Sequence, residues 1–284
     1  MKVTFNNNVI ETKEGTTVSK LLKKEIENNQ YQVVACRYNN EYMNLETEIN
    51  ENAKIELIDT HSKEGMKVYV RTLVYIMGKA FESLYPQEKL MVEYQLGNAM
   101  FCRCDNLKIA EEFIQKLKSK MQDIIDKNLK IKKVVMNREE AEKFFKETHT
   151  SKGKLQIDLE NNNEIYIYYC EKYFNYCYGV LANRTGIIDK FDIIEYHNGF
   201  LIRYPSSKNP TELPEFKETK KLAWALEEFD KIHDVLGVSR VYNLNKAIDE
   251  NKIEDIIMLA EALHEKKIAN IADEIAKRKN VKMC

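Results

Sequence analysis

Residues 70–86 read VRTLVYIMGKAFESLYP. Apolar Leu73, Ile76, Met77, Ala80, Phe81 and Leu84 recur at intervals of three and four, which places them on one buried face of a helix. Tyr85-Pro86 closes that helix, because the residue before a proline is pushed out of the helical region. Arg71 and Tyr75 stand four residues apart, so their side chains project from the same side, one turn above the other.

The 284 residues give room for two or three compact units. A content of 44% hydrophobic and 31% charged residues is that of an ordinary soluble globular protein. The net charge of −1 argues against a globally basic nucleic-acid binder and leaves room for a local basic stripe. No apolar run approaches bilayer-spanning length. MKVTFNNNVIETKEG at the start has no apolar signal-peptide core. A cytoplasmic protein is therefore expected, with Cys36, Cys102, Cys104, Cys170, Cys177 and Cys284 as reduced thiols.

Before the organising helix, residues 1–62 read as a small α+β unit. Lys2–Phe5 and Val9–Thr12 are strands around the turn Asn6-Asn7-Asn8. Thr17 can cap a helix whose apolar face is Val18, Leu21, Leu22 and Ile26. Gln32–Tyr38, Tyr42–Leu45 and Lys54–Asp59 are further strands, and the order is that of a β-grasp. His61–Lys67, with Gly65, reads as a polar joint. After the helix, Lys89–Cys104 is a strand pair around Leu96-Gly97-Asn98, and Leu107–Asn128 a long helix with Ile109, Phe113, Leu117, Met121 and Ile124 on one face. Ile131–Val135 is a strand, Asn137 caps a helix carrying Ala141, Phe144 and Phe145, Asn161–Asn163 is a turn, and Glu164–Cys170 is a strand. Tyr173–Gly179 and Asn183–Gly186 read as loops, and Phe191–Tyr196 with Phe200–Tyr204 as a hairpin. Residues 63–204 thus form a central α+β domain. Residues 205–284 begin with the strap PSSKNPTELPE and continue as helices: Lys220–Leu236 stopped by Gly237, Val241–Asn251, Ile253–Lys266 and Ala269–Arg278. The final Asn280–Cys284 reads as a strand cut short.

The wording of several segments is familiar. EGTTVSKLL, VVACRYNNEYMNL and AKIELID resemble the TGS domain. Met77-Gly78-Lys79-Ala80 before Tyr85-Pro86 resembles the helix of the threonyl- and alanyl-tRNA synthetase editing domain, which reads His-x-x-x-His-x-Leu-Gly-His-Ala and ends in Trp-Pro or Tyr-Pro. Tyr176-Cys177-Tyr178-Gly179-Val180-Leu181 followed by Thr185-Gly186 resembles that family's second motif, Leu-Cys-Arg-Gly-Pro-His and then Thr-Gly. The resemblance implies a zinc site made by two helix histidines, a cysteine and a further histidine. Here Arg71, Tyr75 and Leu181 replace the three histidines and only Cys177 is retained. Arginine keeps its proton, leucine has no lone pair and neutral tyrosine is a poor ligand, so no metal is expected. Arg71, Tyr75, Cys177 and Leu181 are instead a candidate ligand pocket. Cys177 could act as a nucleophile if Arg71 stabilised its thiolate, or be a half-buried wall residue.

Other signals are local. Residues 108–133 hold eight lysines against four acids, so Lys116, Lys120 and Lys127 could contact phosphate or RNA; a solvated helix face is the plainer reading. Tyrosines between 166 and 178 could stack bases or simply favour a strand. Cys102-x-Cys104 has no second ligand pair, and His61, His149, His197, His233 and His264 are scattered. No Gly-x-x-x-x-Gly-Lys-Ser/Thr phosphate loop occurs.

LPEF and LHEKKIANIADEIAKRKNVKM resemble the segment that precedes the kinase domain in a bacterial family of uridine kinase-like nucleoside kinases. That resemblance implies a non-catalytic recognition region, with a kinase domain in cis that would use ATP and magnesium, and no cofactor in this chain. The alternative is a tRNA-binding or trans-editing module related to threonyl-tRNA synthetase. A nucleotide or tRNA is the expected partner, with no membrane association.

Overall fold

The computed structural model describes residues 1–104, 106–148, 164–239 and 241–278. His149, the turn expected at Asn161–Asn163 and the strand expected at Asn280–Cys284 lie outside the described residues. One compact unit comprises the described residues of Met1–Lys143 and Asn163–Lys217, and a second those of Phe144–Asn162 and Glu218–Cys284.

The first unit opens with a β-grasp. Strands β1 (Lys2–Phe5) and β2 (Asn8–Glu11) pair across a turn in which Asn6 and Asn7 both take positive φ, which asparagine tolerates. A two-residue strand β3 (Thr16–Thr17) leads into α1 (Val18–Leu21) and α2 (Lys23–Glu27), and the Thr17 hydroxyl accepts from the Lys20 N–H as a cap. Strands β4 (Val33–Tyr38), β5 (Glu41–Met43), β6 (Glu48–Ile49) and β7 (Ala53–Asp59) follow. The sheet order is β2-β1-β7-β4-β5, parallel only between β1 and β7. Val3, Val18, Leu22, Val33, Ile49 and Ile55 are its core. The small β3–β6 ladder is an addition to the sequence reading, since two-residue strands carry no periodicity.

Helix α3 runs over Lys63–Leu84, not from the end of a joint at Lys67. Ser62 caps it by accepting from the Gly65 N–H at 3.0 Å. Gly65 signals a break by composition, yet here it lies inside the first turn, because a Cβ there would collide with the carbonyl of Asp59. Strands β8 (Met91–Gln95) and β9 (Ala99–Arg103) precede α4 (Glu111–Asp126), β10 (Lys132–Asn137) and α5 (Arg138–Glu147). Asn137 and Glu140 form a reciprocal capping box at the start of α5. Strand β11 (Glu164–Cys170) turns at Glu171, with φ of 56°, into β12 (Tyr173–Tyr176), so the stretch read as a loop is half of a hairpin. Strands β13 (Asp192–Tyr196) and β14 (Gly199–Arg203) form the expected hairpin.

Two antiparallel sheets result, β13-β14-β9-β8 and β10-β11-β12. Leu73, Ile76, Met77 and Phe81 of α3 meet Phe113, Leu117 and Met121 of α4 and Phe200 and Ile202 of β14 in the largest core cluster. On its other side α3 lays Val68 against Val34, Ala35 and Ile58, which seats the β-grasp on the same helix. The strap after β14 is held by Asn98, which donates to the Pro205 carbonyl, and by Arg203, which donates to that of Pro214.

The second unit holds α6 (Lys220–Leu236), α7 (Val241–Asp249) and α8 (Ile253–Lys277). Gly237 caps α6 in the left-handed conformation, φ 68°. Helix α8 is continuous where two helices were expected, because Lys266-Lys267 is a good helix-forming pair and breaks nothing.

Candidate functional site

Helix α3 and the segment leaving β12 bring Arg71, Tyr75, Cys177 and Leu181 into one region. Tyr75 is buried, donates its hydroxyl to the Tyr168 carbonyl at 3.0 Å, and meets the Tyr173 ring edge-on with centroids 5.1 Å apart. Leu181 is fully buried in the same cluster with Ile131, Tyr168, Cys170 and Tyr173, and Cys177 packs against it half-buried. The guanidinium of Arg71 lies over Gly179, where a Cβ would stand 3.0 Å from its Cζ. Gly179 holds φ of +81°, and its carbonyl accepts from the Tyr168 hydroxyl at 2.8 Å. Gly78 is required by the same packing: a Cβ there would come to 2.5 Å from the Tyr173 hydroxyl.

The electrostatics run against a metal or nucleophile site. Burial pushes the Cys177 thiol up to about 11, more than the charge of Arg71 pulls it down. Burial also drives the Tyr75 phenol far above its ordinary range. A zinc ligand must shed its proton, and neither group does so near neutrality. Among the described residues no group of three or more His, Cys, Asp or Glu side chains gathers where it could hold a metal. The donor set does not fit zinc.

The lysines separate. Lys116 is held by Glu112 at 2.6 Å on the exposed face of α4. Lys120 and Lys127 line a cleft of about 370 Å³ together with Lys79, Glu171, Lys172 and Tyr173. Lys79 is committed there, donating to the Cys170 carbonyl at 2.9 Å and pairing with Glu171 at 3.1 Å. Among the described residues Lys120 and Lys127 have no carboxylate partner, nor has Lys172, so all three are free cations of that groove.

A larger cleft, of about 760 Å³, was not singled out by the sequence reading. It opens between the edge strands β5 and β10 and is lined by Tyr42, Glu46 and Glu48 on the β-grasp side and by Lys130, Lys132 and Arg184 opposite. Its walls are pinned: Asn44 donates to the Leu181 carbonyl at 3.1 Å, and Asn183 donates to Glu46 at 2.9 Å. The lysine surplus of residues 108–133 was the available signal. Arg184, which an isolated bridge sets beside Lys130, was hidden in a stretch read only as loop.

Residues 3–61 match the ThiS family. A probable cytoplasmic threonine–tRNA ligase of Enterocytozoon bieneusi is 31% identical over 199 residues, 68% of this chain and 30% of that protein. The threonine–tRNA ligase of Clostridium tetani is 28% identical over 188 residues, 66% of this chain and 29% of its own. A probable cytoplasmic threonine–tRNA ligase of Encephalitozoon cuniculi is 21% identical over 210 residues, 74% of this chain and 32% of its own. The chain thus spans about 30% of the length of these relatives. It carries a ThiS/TGS-like β-grasp at its N-terminus, and beyond it a region distantly similar to threonine–tRNA ligases. The nucleoside kinase parentage expected from the C-terminal third finds no support in these relatives. Among the described residues no helix is long and apolar enough to cross a membrane.

Proposed function

We propose that this chain is an RNA-recognition module, related to the corresponding region of threonine–tRNA ligases, that binds tRNA without hydrolysing an ester on it. One observation carries the reading. The scaffold around the former ligand positions is kept, with Gly78 under Tyr173 and Gly179 under Arg71, while Tyr75 and Leu181 are packed into an apolar cluster. A hydrolytic site needs an activated water or nucleophile. Arginine, buried tyrosine, leucine and a protonated thiol supply neither. Binding needs less: cations for phosphate, which Lys120 and Lys127 offer in an open groove.

An origin ahead of a nucleoside kinase domain would be compatible with the same module, but tRNA ligase relatives favour the RNA reading. Phosphoryl transfer is not proposed for the chain itself, because its sequence has no phosphate loop. The test is fluorescence-anisotropy titration of labelled tRNA at rising salt. Saturable binding that weakens steeply with salt is expected; no saturation even at low salt would refute the reading.

A further inference from the structure

The 760 Å³ cleft between β5 and β10 has the size of a small-molecule site. Its charges are sorted by wall. Lys130, Lys132 and Arg184 stand on one side, and among the described residues none of the three is paired with a carboxylate. Lys133 stands with them but is partly engaged, its ammonium 3.8 Å from the centre of the Tyr166 ring. The opposite wall holds Thr17, Asn44, Glu46 and Glu48, which accept hydrogen bonds. Oε1 of Glu46 already takes Ser19 and Asn183, and Oε2 is left for a ligand. Tyr42 adds an aromatic ring that is 40% exposed, with the Arg37 guanidinium 5.6 Å from its centre.

A ligand for this cleft must carry an anion at one end, and hydroxyl or amine donors and a flat ring elsewhere. A bare anion or an acidic peptide would meet the glutamates; a purely cationic ligand would meet the lysines. We propose that the cleft is a nucleotide site, with the phosphate on Lys130, Lys132 and Arg184, the base against Tyr42, and sugar or exocyclic donors on Glu46 and Glu48. Planar guanidinium suits a phosphate fork, and a tyrosine face stacks any base. The two bonds that pin the walls, Asn44 to Leu181 and Asn183 to Glu46, pre-form the site. The nucleotide can be free in solution or the end of an RNA strand; the chemistry recognised is the same. This site does not depend on the tRNA-binding reading, since a mononucleotide can fill it alone.

Isothermal titration calorimetry of the full chain at low salt tests it, with AMP, UMP, a four-residue RNA and sodium phosphate as separate titrants. Wild type is compared with Lys132→Ala, Arg184→Ala, Tyr42→Ala and, as a control at an exposed lysine that lines neither groove, Lys24→Ala. One-site binding is expected, weakened about 10-fold by each cleft variant, as suits the loss of one charge-assisted bond or one stacking face, and unchanged in the control. Binding by a mononucleotide identifies a free-nucleotide site; binding by the oligonucleotide alone identifies an RNA-end site; both support the proposal. Absence of binding by every nucleotide titrant overturns it. So does phosphate binding as tightly as AMP, or affinity indifferent to all three cleft variants. The altered side chains are exposed or half-exposed, and unchanged thermal unfolding of each variant shows that the fold is intact.

Discussion

Cys177 decides between a reactive and an inert cluster. Burial holds the thiol protonated, up to about 11, and Arg71 offsets only part of that. At pH near 7.5 its thiolate fraction is then about 100-fold below that of a cysteine titrating at 9.0. Iodoacetamide labelling of Cys177, followed by mass spectrometry, should therefore be slow and should slow further in Arg71→Ala. Labelling as fast as a small thiol would contradict the packing. The same shift sets a pH dependence. A group whose proton is held more tightly in the folded state stabilises it below the unfolded pKa and stops doing so above the folded one. Cys177 is raised to about 11 and Cys36 to about 12, both from 9.0. Stability should be flat around neutrality and fall as the pH climbs from 9 through 12. A urea midpoint that rises over that window would show that these thiols are not buried. Gly78 gives a third check at this scale: Gly78→Ala gains helix propensity but drives a Cβ onto the buried Tyr173 hydroxyl. A net loss of about 1–2 kcal/mol is expected in denaturant unfolding.

Among the elements, α3 shows what composition hides. Its apolar stripe from Leu73 to Leu84 was legible because period 3.6 is a local signal. Its first turn was not, because Ser62, Lys63, Glu64 and Gly65 have the composition of a joint. What makes them helical is the Ser62 hydroxyl on the Gly65 N–H and the Asp59 carbonyl that excludes any Cβ at Gly65. Ser62→Ala should cost about 1 kcal/mol. Gly65→Ala should cost more, since backbone rather than a side chain must move. If calorimetry ranks them the other way, the account of this helix start is wrong. Strand β12 was missed for a different reason. Its identity comes from pairing with β11 across a turn at Glu171, a residue that gives no glycine-like cue for positive φ. The hairpin of β13 and β14, by contrast, announces itself through His197-Asn198-Gly199.

Over the whole molecule, the β-grasp and the convergence of Arg71, Tyr75, Cys177 and Leu181 could be read from ordered local motifs. The nucleotide-sized cleft could not. Its walls are joined by bonds such as Asn183 to Glu46, 137 residues apart in the chain, and no local pattern encodes that distance. The groove of Lys120 and Lys127 lay between these cases: the lysines were visible, and the structure adds which of them stay unpaired. Replacing both by glutamate should weaken tRNA binding uniformly across sequences and reduce the salt slope by about two. The central claim is that the chain holds tRNA without cleaving it. The direct measurement is the half-life of the ester on mischarged tRNA, followed with the chain in excess and binding confirmed in the same sample. The account predicts a bound complex whose ester decays at the uncatalysed rate. Faster deacylation that is abolished by Cys177→Ala would contradict it.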